Sequence, residues 1–425
     1  MKLISSTAIA LVFALSTTAA AAQYGATPQA QQLPSASRMG ESSQKADPAQ
    51  KQAKINPSKG ALKALQELQA AVEKNDTANI PAKIAAAQAV ATTKDDKYLL
   101  GRLQLQAAIA AKDNAGISAA IDTIAGSNFL GAPEVSKFYS GLGGTFYNEK
   151  QYGQAATAYQ RALTIDPKNS EAATMLGDAL SGAGRKAEAA QAYQRLMQAA
   201  AASGQKPEEG LIKRAVASAY ESKSPAAVEL ARQWVAAYPT PASWRDAIAI
   251  YRNLNQPDVE GTISLYRLLH ATGSINSGGE YAQYARAAAD QNNFNEAQFA
   301  LDAGVSAKLI DPSKSEYSDL VQGLKSKPKA TKADLAEATK TAQSGMALLR
   351  IGDRYATMGD YAKAVELYKM SMGKPGVDAG VANLHIGMAL ARAGDKAGAT
   401  TALNAVTGPR ADIAKFWLTY LNTKA

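Results

Sequence analysis

Apolar residues recur at helical spacing along most of the chain. From Gly60 onward they form short amphipathic segments, such as the one whose face carries Leu65, Leu68 and Val72. Successive segments are paired and are separated by turns that contain Asp, Asn or Gly, and none alternates with the period of two typical of a half-buried strand. The pattern therefore predicts an all-α protein built from antiparallel helix pairs.

A 34-residue repeat relates two of these helix pairs. Gly143 recurs as Gly177, and Tyr159 recurs as Tyr193, in each case 34 residues later. A period of this length indicates stacked two-helix units. Small residues at matched positions allow two helices to approach closely, and larger side chains fill the layer around the crossing. We therefore predict that Gly143 faces Ala155 of the next helix and that Tyr159 helps to fill the layer around this crossing.

Residues 136–169 and 170–203 resemble tetratricopeptide repeats. The first segment carries five residues at the family's spacing, namely Gly143, Phe146, Ala155, Tyr159 and Pro167. The second segment has Ala201 where Pro is usual. The resemblance implies a right-handed α-solenoid, a superhelix whose concave face is lined by the first helix of each repeat. Family members use that groove to hold an extended peptide or a helix.

A second clear pair of repeats lies near the C-terminus. Gly352 and Gly387 occupy matching positions 35 residues apart, so one residue is inserted relative to the first pair. The final segment places Phe416 and Trp417 on one helical face. Because the last repeat of a solenoid has an open hydrophobic end, we expect this helix to cover it.

The patterns divide the chain into seven parts. They are a signal peptide at 1–22, a disordered tether at 23–59, degenerate helical repeats at 60–130, two clear repeats at 131–203, degenerate repeats at 204–310, a Lys-rich segment at 311–343, and two repeats with a capping helix at 344–425. The tether is rich in Gln, Ser, Pro and Lys and has few large apolar residues to bury. The Lys-rich segment leaves two alternatives open, a degenerate repeat or a flexible break.

The first 22 residues have the layout of a cleavable secretory signal. Lys2 precedes an apolar core, and small residues follow up to Ala22, where we expect cleavage. The core is too short to span a bilayer, and no other run approaches the ~18 apolar residues that a span needs. We therefore predict a periplasmic or secreted protein without a membrane span.

Composition restricts the chemistry that the chain can perform. It has no Cys, which excludes disulfides, thiolate catalysis and Cys-bound metals. His270 and His385 are the two histidines, so a His-rich metal site is excluded as well. Glu221 precedes a Ser as in the catalytic pair of lytic transglycosylases, but the family's other motifs are missing. We predict no catalytic, cofactor-binding or metal-binding residues.

The repeat register places nine residues on the predicted concave groove. They are Tyr147 and Asn148 in the first clear repeat, Thr174 and Asp178 in the second, Leu349 and Asp353 in the penultimate repeat, and Leu384, Met388 and Arg392 in the last. The C-terminal part of the groove is the more apolar part. It would suit an amphipathic helix or an apolar strip of a partner.

These patterns favour a non-enzymatic scaffold or adaptor of the bacterial cell envelope that binds a protein or peptide partner. Two alternatives stay open, a cell-wall glycan hydrolase or accessory subunit of one, and a component of polysaccharide export. The net charge of +9 gives mild support to an anionic envelope polymer as a partner. Nucleic acid is not expected, because aromatic residues do not interleave with the lysines around Lys327. The patterns leave the partner's identity and the oligomeric state open.

Overall fold

The computed structural model describes residues 55–424, and every regular element within this range is helical. The predicted all-α fold is therefore confirmed. None of the helices in this part of the chain is long and apolar enough to cross a bilayer. The predicted signal peptide and most of the predicted tether lie outside the described residues. The chain divides into two compact units, unit 1 up to Ala192 and unit 2 from Tyr193.

Unit 1 is a series of antiparallel helix pairs. Its helices are α1 (Lys59–Glu73), α2 (Ile80–Val90), α3 (Lys94–Ala111), α4 (Asn114–Gly126), α5 (Ala132–Asn148), α6 (Tyr152–Ile165) and α7 (Ser170–Gly182), and the division between the units falls within α8 (Lys186–Ala202). Each helix from α1 to α6 packs on the next one, and α1 also contacts α3. This nearest-neighbour packing is expected of stacked repeats.

The first helix is anchored at its N-terminus by a buried carboxylate. Ser58 caps α1 and donates its backbone N–H and its hydroxyl to Asp96 of α3, at 2.8 and 2.9 Å. Asn56 donates its backbone N–H to Asp95 at 2.8 Å. The predicted disordered tether of residues 23–59 is therefore corrected at its C-terminal end, where the chain is held to unit 1.

The predicted close crossing of α5 and α6 is confirmed. A Cβ placed on Gly143 would lie 2.8 Å from Cε1 of Tyr159, closer than Cβ atoms in proteins approach a neighbour. Ala155 and Tyr159 are buried, as are Leu142 and Phe146 around them. The absence of a side chain at residue 143 is what allows the tyrosine ring to fill this layer.

Unit 2 contains the remaining helices. They are α9 (Glu209–Glu221), α10 (Ala226–Ala237), α11 (Pro241–Asn255), α12 (Val259–Ala271), α13 (Gly278–Asp290), α14 (Phe294–Ser306), α15 (Ser315–Lys325), α16 (Lys332–Thr341), α17 (Gly345–Thr357), α18 (Tyr361–Met372), α19 (Ala379–Ala393), α20 (Lys396–Asn404) and α21 (Ala411–Thr423), with a 3₁₀ turn at Gly408–Arg410. As in unit 1, most helices pack on their neighbours in the chain.

The Lys-rich segment at 311–343 contains two ordered helices. α15 packs on α13 and α14, and α16 packs on α17. The apolar residues that make these contacts possible are buried, including Leu320, Leu324 and Leu335. The segment is therefore not a flexible break, because its two helices pack on the helices on either side of it.

The C-terminal helix α21 contacts more of unit 2 than a terminal cap would. It packs on α19 and α20, as expected, and also on α10 and α12. Tyr420 meets Trp244 edge-on with ring centroids 6.5 Å apart, and Phe416 meets Tyr251 in the same way at 5.9 Å. Phe416 and Trp417 are fully buried. The expected cap is thus corrected to an internal helix that joins the early and late repeats of the unit.

Candidate functional site

Four of the predicted groove residues lie on unit 1, and all keep some exposed surface. Asn148 is exposed at the end of α5, while Tyr147, Thr174 and Asp178 are half-buried. The Thr174 hydroxyl donates to the carbonyl oxygen of Ser170 at 3.0 Å, so it is bound to its own helix. We call Tyr147, Asn148, Thr174 and Asp178 the unit 1 face.

The Tyr159 hydroxyl marks the point where three helices meet at this face. Burial raises the pKa of Tyr159, and Glu171, Tyr147 and Asp178 raise this pKa further through their charges. Such an effect requires these groups to lie near the Tyr159 hydroxyl. A Cβ on Gly144 of α5 would lie 3.7 Å from this hydroxyl, so Tyr159 of α6 reaches the part of α5 that carries Tyr147, while Asp178 of α7 influences it from the next helix. Glu171, in the first turn of α7, belongs to the same surface and was not predicted from the sequence.

The five groove residues predicted in unit 2 have different surroundings. The exposed fractions are 2 % for Leu349, 5 % for Asp353, 0 % for Leu384 and 3 % for Met388. Arg392 is half-buried, and its guanidinium lies 5.1 Å from the ring centroid of Tyr361. The prediction of an open groove is corrected at the first four positions, because unit 2's own helices cover them.

A set of buried charged side chains joins the covering helices. Arg267 of α12 donates to both carboxylate oxygens of Glu296 on α14, with Nε–Oε1 and Nη2–Oε2 distances of 2.7 Å. The same Nη2 lies 3.4 Å from Oδ2 of Asp353 on α17. A two-pronged guanidinium–carboxylate contact is the strongest and most directional form of this pair. Arg267 thus connects three helices inside unit 2.

His385 of α19 continues this set from the opposite side. Its Nδ1 lies 2.7 Å from Oδ1 of Asp353, and its Nε2 lies 2.9 Å from Oε1 of Glu260 on α12. The Tyr368 hydroxyl donates to the same Asp353 oxygen at 2.7 Å. Asp353 is therefore held by three partners, as a buried carboxylate must be if its burial is to be tolerated. We call Glu260, Arg267, Glu296, Asp353 and His385 the ion network.

Opposing effects set the protonation of the ion network. Burial lowers the pKa of His385, but the charges of Asp353 and Glu260 raise it and prevail, so the pKa rises to about 9. Burial alone would raise the pKa of Asp353, whereas Arg267 and His385 hold it well below its usual range. Both groups are therefore charged at neutral pH, and the contacts between them are ionic.

The ion network contains a set of atoms that resembles a metal site. Glu260, Asp353 and His385 offer three ligand atoms within 4.8 Å of one another. However, Arg267 lies 3.7 Å from Glu260 and 3.4 Å from Asp353. Because the charged His385 and Arg267 already hold Oε1 of Glu260 and both carboxylate oxygens of Asp353, they would repel a metal ion from these atoms. The residues therefore fit an internal ion pair better than a metal centre.

Sequence reasoning identified Asp353 but missed its partners. Arg267 precedes Asp353 by 86 residues, and a repeat register contains no information about contacts over that distance. A local signal did exist, because Arg267 follows apolar residues within "ISLYRLLHA" and Glu296 interrupts "NFNEAQFAL". A charged residue on a buried helix face indicates a buried partner.

Glu221, which was weighed as a catalytic acid, is exposed at the C-terminal end of α9. It lines an open cleft of unit 2 together with Tyr220, Asn253 and Asp412. A carboxyl group that acts as a general acid at neutral pH needs an enclosed, apolar setting that raises its pKa. The exposed position does not provide that setting.

Comparison with protein families locates the repeat region. Residues 147–205 match the family model described as tetratricopeptide repeat. The match spans α6, α7 and α8, so this part of the chain is similar to that family, and it lies within an all-helical fold. A comparison with curated proteins gave no match.

Several solved helical proteins resemble the chain over most of its length. The Cut9–Hcn1 hetero-tetramer of the APC/C is 13 % identical, with 86 % of this chain and 84 % of that chain covered and a TM-score of 0.19. Yeast Tom70 is 12 % identical, with 86 % and 88 % covered and a TM-score of 0.22. The quorum sensor NprR from B. thuringiensis is 10 % identical, with 73 % and 97 % covered and a TM-score of 0.20. At such scores these similarities carry no argument about function.

Proposed function

We propose that the protein is a non-enzymatic scaffold or adaptor of the bacterial cell envelope that binds a protein partner through the unit 1 face. The proposal rests on one observation, namely that the family match and the unit 1 face lie in the same part of the chain. The tetratricopeptide match at 147–205 covers the end of α5 and all of α6 and α7, the helices that carry Tyr147, Tyr159 and Asp178. Repeat proteins of this architecture present such surfaces to extended peptides or helices.

The side chains of the unit 1 face suggest the chemistry of the partner. Tyr147 offers a large amphipathic ring, and the Asn148 amide both donates and accepts hydrogen bonds. Glu171 and Asp178 add negative charge beside Tyr159. The face therefore favours a peptide segment that carries an apolar residue next to a Lys or Arg. The same carboxylates disfavour an anionic envelope polymer at this position, although the chain as a whole is basic.

The envelope location is proposed from Lys2, the apolar core that follows it and the small residues up to Ala22. Fractionation of cells that express the full chain should yield a shortened protein in the periplasm or the medium. A variant that lacks residues 2–22 should remain in the cytoplasm at full length. An uncleaved full-length chain in the cytoplasm would contradict the proposed envelope location.

A photo-crosslinking amino acid placed at Asn148 tests the binding surface. Thr157 is the matched control, since it is exposed on the other helix of the same pair. We expect position 148 to capture a defined protein from envelope extract, and the capture to decrease when Tyr147→Ala is added. Equal capture at positions 148 and 157, or capture of glycan alone, would contradict the proposal.

The enzymatic alternative has a separate test. Purified cell wall incubated with the isolated protein should release no soluble fragments if the chain is a scaffold. Release that is lost in Glu221→Gln would overturn the non-enzymatic assignment, and so would release that persists in this variant and copurifies with the chain.

A further inference from the structure

A cavity of about 130 Å³ lies within unit 2, beside the ion network. Ile263, Leu349 and Val381 form an apolar part of its wall, and Glu260 lies on the charged part. Small-molecule sites commonly combine an apolar wall with a few polar groups that fix the ligand's orientation. This cavity has both components, and the unit 1 face has no part in it.

Three arginines outside the ion network also line this cavity, namely Arg350, Arg354 and Arg410. Arg354 donates Nη2 to the carbonyl oxygen of Asn292 at 3.0 Å, and Arg410 donates Nη2 to Asp258 at 2.7 Å. The Nε of Arg410 is buried and makes no hydrogen bond. Arg350 is exposed at the edge of the cavity, and no hydrogen bond or ion pair of its side chain is found within residues 55–424. Because a guanidinium has five N–H donors, most donors of these three side chains make no hydrogen bond within the described residues.

Glu260 supplies a negative group on the same wall. Its ion pairs with His385 at 2.9 Å and with Arg267 at 3.7 Å both use Oε1. Oε2 is consequently the oxygen that is left for the cavity, and the side chain is 24 % exposed. Burial opposes ionisation of Glu260, but His385 and Arg267 lower its pKa, so the carboxylate is charged.

A ligand with a charge of one sign fits this cavity poorly. A simple anion would leave Oε2 of Glu260 without a partner in the cavity, and a simple cation would leave Arg350 and Arg354 without one. A zwitterion meets both requirements, and the apolar wall suits a short hydrocarbon side chain. We infer that the cavity binds a free apolar α-amino acid of about the size of valine. Its ammonium group lies toward Glu260, and its carboxylate lies toward Arg350 and Arg354.

Calorimetric titration of the full chain with L-valine tests this inference. The comparison ligands are 3-methylbutanoate, which lacks the ammonium group, and isobutylamine, which lacks the carboxylate. We expect saturable binding of L-valine and at least about tenfold weaker binding of each comparison ligand, since each loses one charged contact. Absence of L-valine binding, or equal binding of either comparison ligand, would overturn the inference.

A pair of variants locates the binding site. Arg350→Gln removes a guanidinium from the cavity wall at an exposed position, and Arg286→Gln removes one from an exposed position of α13 that does not line the cavity. We expect Arg350→Gln to weaken L-valine binding by about tenfold or more, and Arg286→Gln to leave it unchanged. Both variants should unfold at the parental temperature. If they then change L-valine binding equally, the ligand binds elsewhere and the assignment is overturned.

Discussion

Asp178 in unit 1 and Asp353 in unit 2 occupy the same position of the repeat, directly after Gly177 and Gly352. Asp178 is half-buried on the unit 1 face, whereas Asp353 is 5 % exposed and is held by Arg267, His385 and Tyr368. The two local sequences, "LGDAL" and "IGDRY", differ little in their apolar pattern. The difference in environment therefore comes from what packs on the helix and not from the helix itself.

The covering of unit 2 depends on contacts between distant parts of the chain. Arg267 and Glu260 of α12 reach α17 and α19, and α21 packs on α10 and α12. The helix face that carries Asp178 is partly open to solvent in unit 1. The matching face in unit 2 is packed between helices. A repeat register thus defines which face of a helix is concave but leaves open whether that face is available to a partner.

Removal of α21 should reduce the stability of unit 2 more than any other change considered. Phe416 and Trp417 are fully buried, and loss of a buried aromatic residue costs about 3–5 kcal/mol. Deletion of residues 411–425 removes both and should abolish cooperative unfolding of unit 2 in urea. Fluorescence of Trp234 and Trp244 reports on this unit alone, because unit 1 contains no Trp. An unchanged transition would mean that α21 is only a terminal cap.

The matched aspartates provide the next test. Asp353→Ala leaves Arg267 and His385 buried with a missing counter-charge, which should destabilise unit 2 by about 3–5 kcal/mol. Asp178→Ala changes a partly exposed position and should cost about 0.5 kcal/mol or less. Urea unfolding followed by Trp fluorescence for the first variant, and by far-UV circular dichroism for the second, gives the two values. Similar small losses in both would show that the ion network does not hold unit 2 closed.

The pH dependence of unit 2 follows from His385. Its pKa is raised from 6.5 to about 9 in the folded chain, so its stabilising charge is fully present below pH 6.5. Stability should fall by roughly 3 kcal/mol as the pH rises from 6.5 to 9. His270 does not contribute in this window, because burial lowers its pKa. Urea midpoints of the parent should decrease over this range, and those of His385→Gln should stay level. A parallel decrease in both proteins would assign the effect to other groups.

The smallest expected difference in stability between the two units concerns the glycines at the helix crossings. A Cβ would lie 2.5 Å from the Tyr368 ring at Gly352 and 2.8 Å from the Tyr159 ring at Gly143. The Tyr368 hydroxyl is fixed on Asp353, so its ring has less freedom to move away. We expect Gly352→Ala to lower stability by about 1–2 kcal/mol, and Gly143→Ala to lower it by less. Thermal melts that reverse this order would contradict the role given to the Tyr368–Asp353 contact.

The sequence predicted the local packing of both units but not the closure of unit 2. Gly143, Ala155 and Tyr159 could be placed because helical period and side-chain size determine which residues meet within a pair. The partners of Asp353 could not, because small changes in the angle between successive pairs accumulate along a repeat array. Over the 86 residues between Arg267 and Asp353, such changes decide whether two helices meet.

The most direct test of the account uses the absence of Cys in the native chain. Asp178→Cys and Met388→Cys each introduce one thiol at the same repeat position, after Gly177 and Gly387 respectively. The rate of alkylation by a maleimide under native conditions measures the accessibility of each position. We expect the thiol at position 388 to react about a hundredfold more slowly than the thiol at position 178, because its alkylation requires local opening of unit 2. Equal rates would contradict the claim that unit 2 covers its own groove positions.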